Sequence, residues 1–383
     1  MRKHHLLAAI CCLLSIYSCQ KESIEELLPE SNLLSTETTD ESAYFKINTL
    51  EDLATFEELF VQNEKATSRS HFHGNVVHVP SNSKNAIQAA INSAGHYGVV
   101  YLEKGNHYEE QSIFITHPVF VVGRAGATVI SSIPLGKTGI ESSLFIINET
   151  NRVTIWGVAL VGTGNEASAG ISVISTSNTV LAKNTIKNFQ NGIGLYKGNK
   201  ALIWKNNIVA TPRGLARQIS PTAGVVVLSG PDIRILQNKI SACVWGLLIS
   251  DKDGLIQSNE LFGNFLGVVL DFIPPVVEAP NGDLVGSEFP ATNWTVQNNY
   301  SHDNFDLGYV VSFGANNNKL INNRGGNNGR FDLVLDTGRI NDFGMPGPAS
   351  FDNFVDTGNN KNFTIVDCGN NNEVVGGKWI PCN

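Results

Sequence analysis

The sequence predicts an all-β fold, a solenoid of short parallel strands stacked coil upon coil. Three observations predict it. Asparagine recurs at Asn184, Asn206, Asn238, Asn259, Asn298 and Asn323, each time after a short apolar strand such as "NTVLAKN" or "KALIWKN". A glycine then opens a second apolar strand: "GIGLY" at Gly192, "GVVVL" at Gly224, "GLLIS" at Gly246, "GVVLD" at Gly267 and "GYVVS" at Gly308. The Asn-to-Asn spacings are 22, 32, 21, 39 and 25 residues, so short copies set the length of a coil and long ones carry insertions. A coil of that length cannot bury its own apolar face, whereas stacking at about 4.8 Å buries a continuous core and pairs the backbone groups. Asparagines stacked at a turn can bond to one another along the axis. A leucine-rich horseshoe would need an L-x-x-L-x-L spacing, which is absent.

The elements follow in chain order. The 383 residues, 42% hydrophobic and 16% charged, suffice for a sizeable core. A net charge of −8 makes the chain a poor general binder of nucleic acid. Arg2-Lys3 precede an apolar run, Leu6 to Leu14, that is too short to span a membrane. The run ends at Ser18-Cys19, and this arrangement resembles a bacterial lipoprotein signal peptide. The resemblance implies cleavage of residues 1–18 and a lipid on Cys19. It implies an outer-membrane lipoprotein, periplasmic or at the cell surface, that meets the membrane only through its lipid. An ordinary secretory signal is the alternative. Gln20-Lys21-Glu22 and the acidic stretch after it resemble surface lipoproteins of Bacteroidota. Removal of residues 1–18 takes away Arg2 and Lys3 and shifts the net charge from −8 to −10.

Residues 19–75 read as an acidic tether, holding 12 of the 35 acidic residues. One helix interrupts it: Leu50, Leu53, Phe56, Leu59 and Phe60 share a face, with Thr49 as N-cap. Docking of that face on an end of the next domain is the expectation, with a loose tether helix as the alternative. Residues 76–383 form the solenoid domain. A short helix, Asn85 to Ala94, stops at Gly95, and strands follow at Val99–Leu102, Ile113–Ile115, Val119–Val122 and Val129–Ile130. The stretch "NAIQAAINSAGHYGVVYLEKGNHYEEQSIFITHPVFVVGRAGATVI" resembles the opening of the pectate-lyase-like, right-handed parallel β-helix family. The resemblance covers residues 80–380 and implies a single-stranded right-handed β-helix whose first coil is capped by a helix covering its open edge.

Four cysteines remain in the mature chain. With Cys19 acylated, Cys368 and Cys382 can pair in an oxidising compartment and staple the C-terminus. Cys243 lies in an apolar strand pattern, as a buried thiol does. No Cys/His spacing suggests zinc.

Chemistry on such a scaffold is expected in loops and at coil edges. Three insertions stand out: Val209–Ala223, Phe272–Thr292 and Thr337–Asn353. No acid occurs between Glu166 and Asp232, a window holding Lys183, Lys187, Lys197, Lys200, Lys205, Arg213 and Arg217. Lys183 and Lys205 share one register, so they repel unless something anionic lies beside them or water screens them. Guanidinium forks suit carboxylates and sulfates, so an acidic polysaccharide along the stack is one reading and a solvated basic face the other. The later coils are acidic. Asp251 and Asp271, one coil apart at nearly the same register, are candidate Ca²⁺ ligands, with ordinary turn aspartates as the alternative. His302-Asp303, in "SHDNFD", is the sole His-Asp pair and a candidate base.

Two functions are consistent with these residues. The first is action on acidic polysaccharide by lyase β-elimination. Arg213 or Arg217 would neutralise the uronate carboxylate, Lys197 or His302 would remove the C5 proton, and Asp251 with Asp271 would hold Ca²⁺. Lyases of this fold use such groups, but "PRGLAR" departs from the R-x-P-x-x-R pattern of pectate lyases. The D-P-H motif of alginate epimerases and the N-T-D and G-H-G motifs of polygalacturonases are absent as well. The second is a non-catalytic glycan-binding or adhesion module, which an exposed row of aromatic residues would favour.

Overall fold

The structure, a computed structural model, describes Thr55, Glu58 and residues 74–382, apart from 134–141, 164–168, 211–221, 229, 274–276, 279–283 and 337–346. Two units divide the chain, Met1–His73 and Gly74–Asn383. In the first, Thr55 and Glu58 are helical and exposed. Cys19 and the apolar face from Leu50 to Phe60 lie outside the described residues.

The second unit is a right-handed parallel β-helix. Its strands form three parallel sheets, here A, B and C, of 12, 9 and 11 strands among the described residues. One coil passes through A, B and C in turn. Coils are numbered from Gly98, which opens the first after a leading strand, Val76–Val79, in sheet A. Coil 4 runs Val180–Ala182, Thr185–Lys187 and Asn191–Tyr196. Coils 6 to 9 enter sheet B with Lys239–Ser241, Glu260–Phe262, Tyr300–His302 and Arg324–Gly326. Every strand pair in the three sheets is parallel, and inward residues of all three sheets form one core, as in the fully buried stack Ile186, Ile208, Ile240 and Leu261.

The corner between A and B explains the asparagine recurrence. Lys183, Lys205, Gln237, Ser258, Asn298 and Asn322 all take a left-handed backbone, φ between 50° and 56°, which bends the chain. That conformation costs non-glycine residues about 1–2 kcal/mol each. The next residue offsets the cost. Asn184, Asn206, Asn238, Asn259, Asn299 and Asn323 are buried; the Asn184 oxygen accepts from Val158 N–H, and each later side-chain oxygen accepts from the backbone and side-chain N–H of the asparagine one coil earlier. The ladder member in coil 8 is therefore Asn299, with separations of 40 and 24 residues on either side, and not Asn298 as the spacing suggested. Asn298 is the exposed corner residue before it.

The recurring glycines have a steric cause. A Cβ at Gly192, Gly224, Gly246 or Gly267 would lie 2.3–2.6 Å from the carbonyl oxygen of the corresponding glycine in the next coil, too close for any side chain. Asp332 takes the register in coil 9, where its carboxylate accepts from Asn328 and from Thr364.

The N-terminal end is closed by helix α1, Ile87–Ala94, which buries Ile87, Ala90, Ile91 and Ala94 and stops at Gly95, φ 67°. Its N-cap residue Ala86 offers no side-chain acceptor. Glu109, from the sheet B strand of coil 1, supplies one: the Ile87 N–H donates to its Oε1 at 3.2 Å. The C-terminal coils, with Glu373–Val375 and Lys378–Ile380 as last strands, carry a disulfide between Cys368 and Cys382, Cα atoms 5.5 Å apart. Cys243 is buried, and its thiol donates to Ser241 O at 3.4 Å.

Candidate functional site

The outer face of sheet C has little chemistry. Ile146, Ser172, Gly194, Val226, Leu248, Val269, Val310 and Val334 succeed one another along it; Ser172 is buried and bonded to Ser143, and most of the others are buried in two apolar clusters separate from the core. Sheet A carries Trp156 and Trp204 outward, yet both are buried. They answer the question of the stacked lysines: Lys183 Nζ lies 5.3 and 5.5 Å from the two indole centroids, and Lys205 Nζ lies 4.4 Å above Trp204. The electron-rich ring faces stabilise cations that would otherwise repel.

Sheet B is different in coils 6 to 9. Strand register places Lys239, Glu260, Tyr300 and Arg324 in one outward row, and Ser241, Phe262, His302 and Gly326 in the next. From these rows a column of rings and cations assembles. Lys239 Nζ sits 4.9 Å over the Phe262 ring; Phe262 stacks on His302 at 5.6 Å; His302 stacks on Tyr300 at 4.0 Å; Arg324 lies 4.6 Å over Tyr300. Each ring is held on both faces, so the column is preorganised.

Carboxylates flank the column. Asp303 Oδ2 is 2.6 Å from His302 Nδ1, and Glu260 Oε1 is 3.4 Å from Nε2. A neutral imidazole donates to one of them; a protonated one donates to both. Burial works against the charge on Glu260, but hydrogen bonds from Lys239 and His302 outweigh it and hold the carboxyl below its usual range. Hydrogen bonds from His302 and Asn327 do the same for Asp303. Lys239 and Glu260 also pair at 3.2 Å. The His302 side chain is 14% exposed and that of Glu260 42%, so the carboxylate reaches solvent while the imidazole stays in the stack. The group can hold a proton, pass it between two carboxylates, and offer hydrogen-bond acceptors beside flat rings.

At the adjoining corner between B and C, a second asparagine ladder links Asn264, Asn304 and Asn328. The residues after the first two, Phe265 and Phe305, point outward with 46% and 65% of their surface exposed. Arg330 and Asp306 pair beside them.

The other expected site residues are scattered. Lys197 is exposed at the C-to-A corner of coil 4. His302 stands four coils later, about 19 Å along the axis at about 4.8 Å per coil, so the two cannot serve one sugar carbon. Arg213 and Arg217 lie outside the described residues, in the insertion between Asn207–Val209 and Ala223–Val227. Asp251 and Asp271 are both buried. Asp251 Oδ2 accepts from Gly230 N–H and Asp271 Oδ1 from Phe272 N–H. Burial pushes the Asp251 carboxyl up. Among the described residues, no group of three or more His, Cys, Asp or Glu gathers to hold a metal, and Ca²⁺ wants six to eight oxygens. Two buried carboxylates, each already accepting from a backbone N–H, do not fit that ion. Sequence reasoning found His302 and Asp303 but missed Glu260, Tyr300, Phe262, Arg324 and the two exposed phenylalanines.

Comparisons with known proteins bear on the fold. Endo-xylogalacturonan hydrolase from Aspergillus tubingensis superposes with a TM-score of 0.50 at 10% identity, covering 80% of this chain and 93% of the hydrolase. ORF18 of Geobacillus virus E2 gives 0.49 at 15%, over 88% of this chain; the chain spans 64% of that protein, less than two thirds. A mannuronan C-5 epimerase module from Azotobacter vinelandii gives 0.45 at 15%, over 78% of this chain and 92% of the module. No curated protein sequence matches. The family described as "Right handed beta helix region" matches residues 151–344, half of the chain. The chain belongs to the right-handed β-helix family.

Proposed function

We propose that this protein is a carbohydrate-binding β-helix whose glycan lies on the sheet B side of coils 6 to 9. The observation that carries the reading is the ring column with Glu260 and Asp303 on either side of His302. Sugars present apolar C–H faces and a rim of hydroxyls, which flat rings flanked by carboxylates and cations match. The endo-xylogalacturonan hydrolase that shares the fold acts on a polysaccharide, which agrees.

Catalysis on an acidic polysaccharide is the second reading, favoured by His302 standing within reach of two carboxylates. A panel of uronate and neutral polymers separates the two, with binding followed by calorimetry and β-elimination by the ultraviolet absorbance of the unsaturated product. Binding without new absorbance supports the module; rising absorbance with one polymer makes the protein a lyase. His302→Ala is expected to weaken the bound polymer about tenfold, roughly 1.4 kcal/mol, in a variant whose circular dichroism shows the fold retained. Unaltered affinity would remove this face from the site.

We place the mature chain at the outer membrane through a lipid on Cys19, on the strength of the signal sequence. Cys19→Ala is expected to move the protein from the detergent-extracted membrane fraction to the soluble one. Retention in the membrane fraction would overturn the anchor.

A further inference from the structure

We propose that Phe265 and Phe305 form the floor of a subsite for an uncharged glycan running along the solenoid axis, one sugar ring per coil. The proposal rests on the carbohydrate reading and names the ligand class.

The two residues occupy one register on consecutive coils. Phe305 N–H donates to Asn264 O at 2.7 Å, and Asp306 N–H to Phe265 O at 3.0 Å. The platform has two ends: the same position is the half-buried Val244 in coil 6 and Gly329 in coil 9. Side by side on consecutive coils, the two exposed rings form a small apolar patch rather than scattered single residues, and such a patch is a feature of ligand-binding grooves. A protein partner needs about 1,000 Å² or more in total, far beyond two side chains. Two sugar rings need only two flat faces, spaced as an extended glycan spaces its rings, close to the coil repeat of about 4.8 Å.

Rigidity supports the assignment. The ladder residues Asn264 and Asn304 immediately precede the two phenylalanines and bond to each other, with Asn304 passing on to Asn328. A platform already fixed loses little freedom on binding.

Charge selects the ligand. Around the platform Lys239 pairs with Glu260, Arg330 with Asp306, and His302 with Asp303 and Glu260. With Arg324 over Tyr300, three cations stand against the three carboxylates Glu260, Asp303 and Asp306, so no net positive field draws a polyanion here. The lysines of the acid-free stretch that the sequence singled out stand elsewhere: Lys183 and Lys205 lie at the A-to-B corner over indoles, and Lys197 at the C-to-A corner. Asp303 and Asn327, both exposed, lie near the platform as partners for hydroxyls.

The test uses the mature protein with two neutral polymers, mixed-linkage β-glucan and xylan, and two uronate polymers, polygalacturonate and alginate, each at low and high salt. The expected result is binding to a neutral polymer that salt leaves unchanged, weakened about tenfold by Phe305→Ala or Phe265→Ala and about a hundredfold by both. Both positions are exposed, and circular dichroism will show whether the variants keep the fold. Binding confined to uronates and screened by salt, with the phenylalanine variants unaffected, would overturn this inference and leave the carbohydrate reading standing. Failure of the folded protein to bind any of the four would overturn both.

Discussion

Asn238→Ala is expected to cost about 3–9 kcal/mol of stability, because three buried groups each lose a partner at about 1–3 kcal/mol. The Asn238 side-chain oxygen accepts from Asn206 N–H at 2.8 Å and from Asn206 Nδ2 at 3.0 Å, and its own Nδ2 donates to Ile203 O at 2.9 Å. Alanine removes all three, and water cannot reach a position that is 1% exposed. The comparison is Asn298→Ala, at the exposed corner residue beside the ladder. There only the left-handed backbone preference is lost, about 1 kcal/mol. Chemical denaturation of the two variants measures the difference. Equal losses would mean that the corner conformation, not the ladder, holds the coils in register.

Glu109→Ala is expected to cost about 2–4 kcal/mol, since it orphans the Ile87 N–H at the start of the capping helix and leaves a cavity where a carboxyl was packed. Glu109→Gln behaves differently, and pH exposes why. Burial raises the Glu109 carboxyl above its usual range, against the lowering effect of backbone hydrogen bonds from Ile87 and Ala86. A carboxyl raised in the folded state favours folding below its unfolded value of about 4.3, and that contribution is lost as pH rises through the folded value. Glutamine stands in for the protonated acid at every pH. The melting temperature of Glu109→Gln should therefore exceed that of the natural protein at neutral pH, and the gap should close on acidification toward the folded value. A gap that does not vary with pH would show that the carboxyl titrates normally.

Much of the scaffold was legible in the sequence because its causes are local. The glycine near the start of the sheet C strands of coils 4 to 8 is required by close backbone approach, and the turn asparagine by an axial ladder. Both recur with the coil. What failed was a choice between neighbours. In "VQNN" either asparagine fits the pattern, because a left-handed corner accepts asparagine as readily as the ladder does, and Asn298 was taken for Asn299. That slip matters for the site. Lys239, Glu260, Tyr300 and Arg324 each directly follow a ladder asparagine, so a correct register would have aligned them on one face. His302 and Asp303 were visible as neighbours in the chain. Glu260 and Phe262 come from one coil earlier, across an insertion, and only the ladder count brings them together. Phe265 and Phe305 gave no signal alone, since a phenylalanine after asparagine reads equally well as a buried turn residue. The lysine stack was seen, but its counterpart was expected to be an anion and is an indole face.

In coils 7 to 9 two corners of each coil are tied to the next by asparagine side chains, the A-to-B ladder and the B-to-C ladder together. The pitch there is not free to breathe. Any long polymer lying along this side must match a fixed ruler. A repeat slightly different from the protein's drifts out of phase with every added unit, so the contact stays in step only over a short stretch. Selectivity then comes from linkage geometry as much as from the chemistry of each unit, and lengthening the polymer beyond that stretch adds little.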